Sequence, residues 1–167
     1  MKFTYFLKPE LIRHDVIASS KKRSLEMIGE LAASYFNQQY GEERCKVACF
    51  SSLFKREKLG STCINNGIAL PHAKLPASQH FSQPLALFLQ LADPIDFEAA
   101  DNREVDLIFA MFFPEGACEQ YKSALPDLAQ RLSDKHLAKQ LRSAGSAEEI
   151  WQVFEYADSL EAQASES

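Results

Sequence analysis

From Arg56 to Leu75 the chain reads REKLGSTCINNGIALPHAKL, and this stretch marks where its apolar period changes. Before it, apolar residues recur at three- and four-residue steps, the spacing of one helix face. Leu25, Ile28, Leu31, Ala32 and Tyr35 predict a helix from Lys21 to about Phe36. Ser20 stands just before it, where a hydroxyl can accept from an unpaired backbone N–H. Gly41 breaks the pattern. A second helix is expected from Glu42 to Lys58, with Val47, Phe50, Leu53 and Phe54 inward and Gly60 as its stop. After Gly60, small and turn-forming residues surround Asn65-Asn66-Gly67, which predicts a tight turn between short strands.

Further along, Pro84 to Leu91 and Val105 to Phe113 are rich in Leu and Phe with little polar alternation. Such runs suit central strands covered on both faces. A turn-rich link, Asp93 to Glu104, separates them. Leu128, Leu132, Leu137 and Leu141 return to helical spacing, and Ser146-Ala147-Glu148-Glu149 fits a capping box that opens a last helix. Ile150, Trp151 and Phe154 are its expected inner residues. Helices, then strands, then helices imply a layered α/β domain. One domain is expected over 1–157, with 158–167 as an acidic, disordered tail.

Bulk composition narrows the function. The chain has 167 residues, enough for one domain with a sizeable core, and its formal net charge is -5. That balance lacks the basic footprint of a nucleic-acid partner or of a basic membrane-surface helix. No apolar window is long enough for membrane insertion. The N-terminus lacks the apolar core of a secretory signal. Cys45, Cys49, Cys63 and Cys118 form no C-x-x-C pair, so a reducing cytoplasm is the expected compartment. Cys45 and Cys49 have no matching ligand pair elsewhere, so no metal is expected. No cofactor motif stands out.

The candidate chemistry lies at Pro71-His72. A neutral imidazole can attack phosphorus near neutral pH, because its unperturbed pKa is about 6.5. The other ring nitrogen must then be held, commonly by a backbone carbonyl. The phosphoryl group is anionic, and catalysis of its transfer is mainly positioning and charge stabilisation. Arg56 offers a forked guanidinium for two phosphate oxygens. Ser61 or Thr62 could add a hydroxyl donor. The stretch from Pro71 to Pro84 has little regular pattern, so His72 is expected after a strand, at the start of a functional or mobile loop. Spacing alone leaves His72 open between this role and that of a surface-loop histidine. Glu57 and Lys58 read as helix-end surface charges.

The segment Arg56–Leu75 resembles the phosphorylation-site signature of the fructose/mannitol-type enzyme IIA family of the bacterial phosphotransferase system. SKKRSLEMIGELAA near the N-terminus, PIDFEAADNREVDLIFAMFFP in the middle and LAQRLSDK after it also look like the nitrogen-related branch of that family. The resemblance covers nearly the whole chain. It implies the mannitol-type fold, a mixed central sheet flanked by helices, with a phosphohistidine at His72 and Arg56 beside it. It also implies a histidine-phosphorylated carrier protein as donor and regulatory target proteins, among which potassium-transport proteins and sensor kinases occur in that branch. No sugar-transport domain accompanies the chain, so regulation is expected rather than sugar uptake.

Two positions depart from the family. A second histidine usually stands near the start of the helix after the long buried strand, and the matching position is Tyr121. Its hydroxyl can donate to phosphate but supplies no imidazolium charge. Mid-helix, Pro126 would remove a backbone donor and kink the chain; at the first helical position it would be tolerated. Two functions therefore compete: a phosphoryl carrier, and a regulatory binding module in which phosphorylation is weak or vestigial. A metal or serine hydrolase has the least support, since no nucleophile elbow or ligand spacing occurs.

Overall fold

The computed structural model describes residues 1–166, and for Cys118, Gln120 and 164–166 the backbone alone. Six strands form one mixed sheet: β1 (Leu7–Val16), β2 (Cys63–Asn65), β3 (Ile68–Ala69), β4 (His72–Leu75), β5 (Leu85–Ile95) and β6 (Val105–Pro114). The order across it is β1-β5-β6-β3-β2, and β4 also pairs with β6. β1 runs parallel to β5, and β3 and β4 run parallel to β6; the β5–β6 and β2–β3 pairs are antiparallel. This is the mixed sheet expected from the family resemblance.

Five helices cover the two faces: α1 (Lys21–Tyr40), α2 (Lys46–Glu57), α3 (Ala124–Leu132), α4 (Lys135–Ser143) and α5 (Ala147–Glu166). Alternation along β5 and β6 divides the core. Leu87, Leu89, Ile108, Ala110 and Phe112 face α1 and α2, where they meet Leu25, Ile28, Phe36 and Leu53. Ala86, Phe88, Leu107, Phe109 and Met111 face Leu128, Leu141, Ile150 and Phe154 of α3–α5. Both central strands are therefore apolar on both sides, as their sequences predict.

Local signals set several boundaries. The Ser20 side chain accepts from the Arg23 N–H, and Gly41 ends α1 at φ 65°. Asn66 and Gly67 both have positive φ between β2 and β3, as the Asn-Asn-Gly turn requires. The Ser146 hydroxyl accepts from the Glu149 N–H, and the Glu149 carboxylate accepts from the Gly145 N–H at 2.6 Å. The reciprocal bond thus lands one residue earlier than in the usual capping box. Pro126 is the third residue of α3, within the first turn, where the missing N–H costs no helix bond.

The structure corrects other expectations. β1 is an unexpected edge strand. α2 starts at Lys46, and its buried residues are Cys49, Leu53 and Glu57, an i, i+4 stripe, while Val47 is 70% exposed. β5 continues through Asp93 to Ile95. α5 runs past Ala157, and Asp158, where the tail was expected to begin, is buried. Its carboxylate accepts from the Phe3 and Thr4 N–H groups and from the Arg131 guanidinium. A buried carboxylate is stable only with such partners, so this stretch of α5 belongs to the body of the fold.

Candidate functional site

β3 and β4 lie along the same edge of β6. Ile68 and Ala69 pair with Leu107 and Ile108, and His72 to Leu75 pair with Met111 to Pro114. The interruption is Leu70-Pro71, and the Met111 N–H still bonds the Pro71 carbonyl at 2.9 Å. His72 is accordingly the first residue of a short strand rather than the start of a loop. Hydrogen bonding to the long central strand fixes its backbone, which a loop would leave free.

The imidazole is half-buried, and its Nδ1 lies 3.0 Å from the Leu70 carbonyl oxygen. A carbonyl only accepts, so this contact holds the proton on Nδ1 and leaves the Nε2 lone pair available. Burial pushes the His72 pKa below its ordinary value; the Leu70 carbonyl opposes that, Arg56 adds to it, and Glu57 opposes it. The net direction favours the neutral ring.

His72 opens into a cavity of about 510 Å³ between α2 and the segment that follows β6. Arg56 lines it from the last turn of α2, and Tyr121 lines it from a 3-10 turn over Cys118–Tyr121. Lys55, Lys74 and Lys122 are also in its wall, and none of its lining residues is acidic. In a chain of net charge -5, this local concentration of cations suits an anion. One Arg56 nitrogen donates to the Gly60 carbonyl at 3.1 Å. That bond orients the side chain and leaves other N–H groups of the fork for a ligand. The Tyr121 ring packs edge-on against Phe6, with centroids 6.1 Å apart.

Ser61 and Thr62 are not brought to the cavity. The Ser61 hydroxyl donates to the Phe97 carbonyl at 3.0 Å, and the buried Thr62 hydroxyl donates to the Glu57 carboxylate. Each has committed its only proton, so neither serves as a phosphate donor in this arrangement. Glu57 itself is buried, not a surface charge, and pairs with Lys21 at 2.9 Å. Lys55, Lys74 and Lys122 were not marked as candidates by the sequence. The i, i+3 and i+4 spacing of Ser52, Lys55 and Arg56 on α2 was the available signal. Among the described residues, no group of three or more His, Cys, Asp or Glu side chains is placed to hold a metal ion.

A mixed sheet with a held imidazole in a cation-lined cavity is an arrangement suited to phosphoryl transfer, and the wider comparisons agree. The chain belongs to the family "Phosphoenolpyruvate-dependent sugar phosphotransferase system, EIIA 2", whose model matches residues 5–157. It is a component of a phosphotransferase system, in which IIA proteins receive phosphate from upstream carriers and pass it on.

Within that family it is of the nitrogen-regulatory kind. It is 49% identical over 161 residues to a nitrogen regulatory protein homolog of Haemophilus influenzae, covering 96% of this chain and 95% of that one. With the nitrogen regulatory protein of Escherichia coli it shares 39% identity over 153 residues, 92% of this chain and 89% of that one. The crystal structure of the nitrogen regulatory protein IIA-Ntr from Neisseria meningitidis superposes with a TM-score of 0.77 at 31% identity, covering 90% and 97%. The IIA mannitol protein of Escherichia coli shares the fold, with a TM-score of 0.66 at 18% identity over 88% of this chain and 97% of that one.

Proposed function

We propose that the protein is a regulatory phosphoryl carrier whose acceptor atom is Nε2 of His72. The observation that supports this best is the 3.0 Å contact between Nδ1 and the Leu70 carbonyl, which leaves Nε2 as the nucleophile. The donor is a histidine-phosphorylated carrier protein. As the Nε2–P bond forms, the N–P bond to the donor's imidazole breaks, and the donor nitrogen keeps that electron pair. The His72 ring gains positive charge, and the Nδ1–H bond to Leu70 spreads it. Arg56, with Lys55, Lys74 and Lys122 around it, balances the charge on the phosphoryl oxygens. Tyr121 adds a hydroxyl to the opposite wall.

The relatives' names support a nitrogen-regulatory role, in which phosphorylation state controls binding to target proteins in the cytoplasm. A potassium-transport protein or a sensor kinase is the kind of target that the family branch suggests. A second reading, a binding module with weak phosphorylation, draws support from Tyr121, which cannot supply the charge of a second histidine. Incubation with phosphoenolpyruvate, the first enzyme of the relay and its carrier protein tests both. An acid-labile, base-stable adduct that disappears in His72→Ala is the expected result. No adduct in the parent, or an undiminished one in His72→Ala, overturns the carrier reading.

A further inference from the structure

Glu57 has no part in the chemistry above, yet it is one of the few buried acidic side chains, only 6% exposed. Its surroundings supply an ammonium and two further donors. Lys21 Nζ, at the start of α1, lies 2.9 Å from Glu57 Oε2, and the same ammonium sits 4.9 Å above the centre of the Phe97 ring. The Thr62 N–H donates to Oε2 at 3.3 Å, and the Thr62 hydroxyl donates to Oε1. A buried carboxylate with an ammonium and two further donors is an ion fixed in place, because moving it would strand charge in an apolar core.

From this ion a path of hydrogen bonds leads to the active imidazole. Glu57 holds Thr62 by its backbone and its side chain. The Thr62 carbonyl accepts from the Leu70 N–H at 3.0 Å. The Leu70 carbonyl holds His72 Nδ1 at 3.0 Å. The N–H and C=O of each intermediate residue belong to different peptide units, so the path passes on position rather than polarisation. Glu57 also follows Arg56 in the last turn of α2, so the same anchor fixes the helix end that carries the arginine.

We propose that Glu57 is a positioning residue for phosphoryl transfer: through Thr62 and Leu70 it fixes the carbonyl that selects the Nδ1–H form of His72. This rests on His72 being the acceptor. Removing the anchor lets Leu70 and Pro71 shift, so the ring samples both tautomers and its angle to the incoming phosphorus widens. Displacements of this size lower rates steeply without unfolding the protein.

The test compares the parent with Glu57→Gln, with the Lys21→Met/Glu57→Gln pair and with Thr62→Val. The double variant removes both charges together and so avoids an unpaired buried ammonium, and Thr62→Val keeps all charges but cuts the side-chain link. The first readout is the imidazole 15N spectrum of unphosphorylated protein, where the parent shows a single Nδ1–H form of His72. The second is the initial rate of labelling by the phosphorylated carrier at saturating carrier. We expect a mixed tautomer population and a fall of about tenfold or more in the saturated rate, with carrier KM nearly unchanged, in every variant that keeps the parent's circular dichroism. Parent-like tautomers, or rates within about twofold of the parent in the folded variants, overturn the proposal. Failure of parent labelling instead counts against His72 as acceptor, and the 15N spectra still decide whether Glu57 orders the ring.

Discussion

On one side of His72 the cavity is walled by the end of α2; on the other it is walled by a 3-10 turn and the first residues of α3. The α2 wall is anchored twice. At its start, α1 approaches so closely that a Cβ on Gly29 would stand 2.8 Å from the Phe50 nitrogen. At its end, Glu57 is pinned by Lys21 and Thr62. The opposite wall differs within itself: α3 is held at Asp127 by the N-terminal ammonium at 2.7 Å and at Arg131 by Asp158 at 2.8 Å, whereas in the turn before it Lys122 meets Glu119 at 3.9 Å through side chains 80% and 90% exposed. Tyr121 instead rests on Phe6. Arg56 sits on the anchored wall, and Tyr121, where the family resemblance implies a second histidine, sits on the other. In the proposed carrier role, fixed charge must not move as the phosphoryl group arrives, whereas a hydroxyl on a lightly held turn can be exchanged with little effect on the fold.

The largest effect is expected from disabling the anchored wall. Arg56→Gln should lower the rate of His72 labelling by about 10²- to 10³-fold, the usual loss for one preorganised charge donor. Since Arg56 helps to depress the His72 pKa, the acid limb of the pH–rate profile should also move up in this variant. An unchanged limb would place Arg56 away from the ring. Gly29→Ala should come next: overpacking of backbone against backbone costs about 1–3 kcal/mol, measurable by urea denaturation. Its rate loss should exceed that of an equally destabilising change on the α5 side of the sheet, because it displaces α2.

Smaller effects are expected from the lightly held turn. Tyr121→Phe should slow labelling by less than about tenfold, the scale of one neutral hydrogen bond. Tyr121→His should label faster than the parent, and a rate no higher would remove the support for a retuning role. Ser61→Ala should leave the rate within about twofold, since that hydroxyl is bonded to Phe97. For pH, His72 has a lowered folded-state pKa, so the unfolded chain binds more protons below the ordinary value of about 6.5. Its contribution to stability is therefore complete above that pH, is lost as pH falls below it, and levels off under the folded-state value. Thermal melts of the parent and His72→Gln across pH 5 to 7 should diverge in that sense.

The contrast also explains what was legible beforehand. The long apolar runs of β5 and β6, the capped helices and the Asn-Asn-Gly turn carry their structure locally, and each was read near its place. β1 was not, because Pro9 and the charges around it obscure the strand. Its pairing with β5 shifts register on both sides of Ile12 and Arg13, so its burial does not alternate simply. β4 is four residues long and exists because β6 supplies its partners. His72 and Arg56 were singled out by the resemblance of Arg56–Leu75 to a phosphorylation-site signature, and the structure brings both to one cavity. Ser61 and Thr62 were read as donors because their hydroxyls are near in sequence, but Phe97 and Glu57 claim them. Glu57 looked like a surface charge because its counter-ion lies 36 residues earlier, at Lys21, where no local pattern reveals it. Val47 was placed inward for being apolar, while the real stripe includes a charged residue.

The proposed carrier role turns most on which ring atom takes the phosphoryl group. Protein labelled with 15N in its histidines and phosphorylated through the carrier answers this by 15N–31P coupling. The Leu70 contact predicts phosphorus coupled to Nε2 of His72, with the proton retained on Nδ1. Coupling to Nδ1, or to a ring nitrogen of His14, His80 or His136, would contradict it.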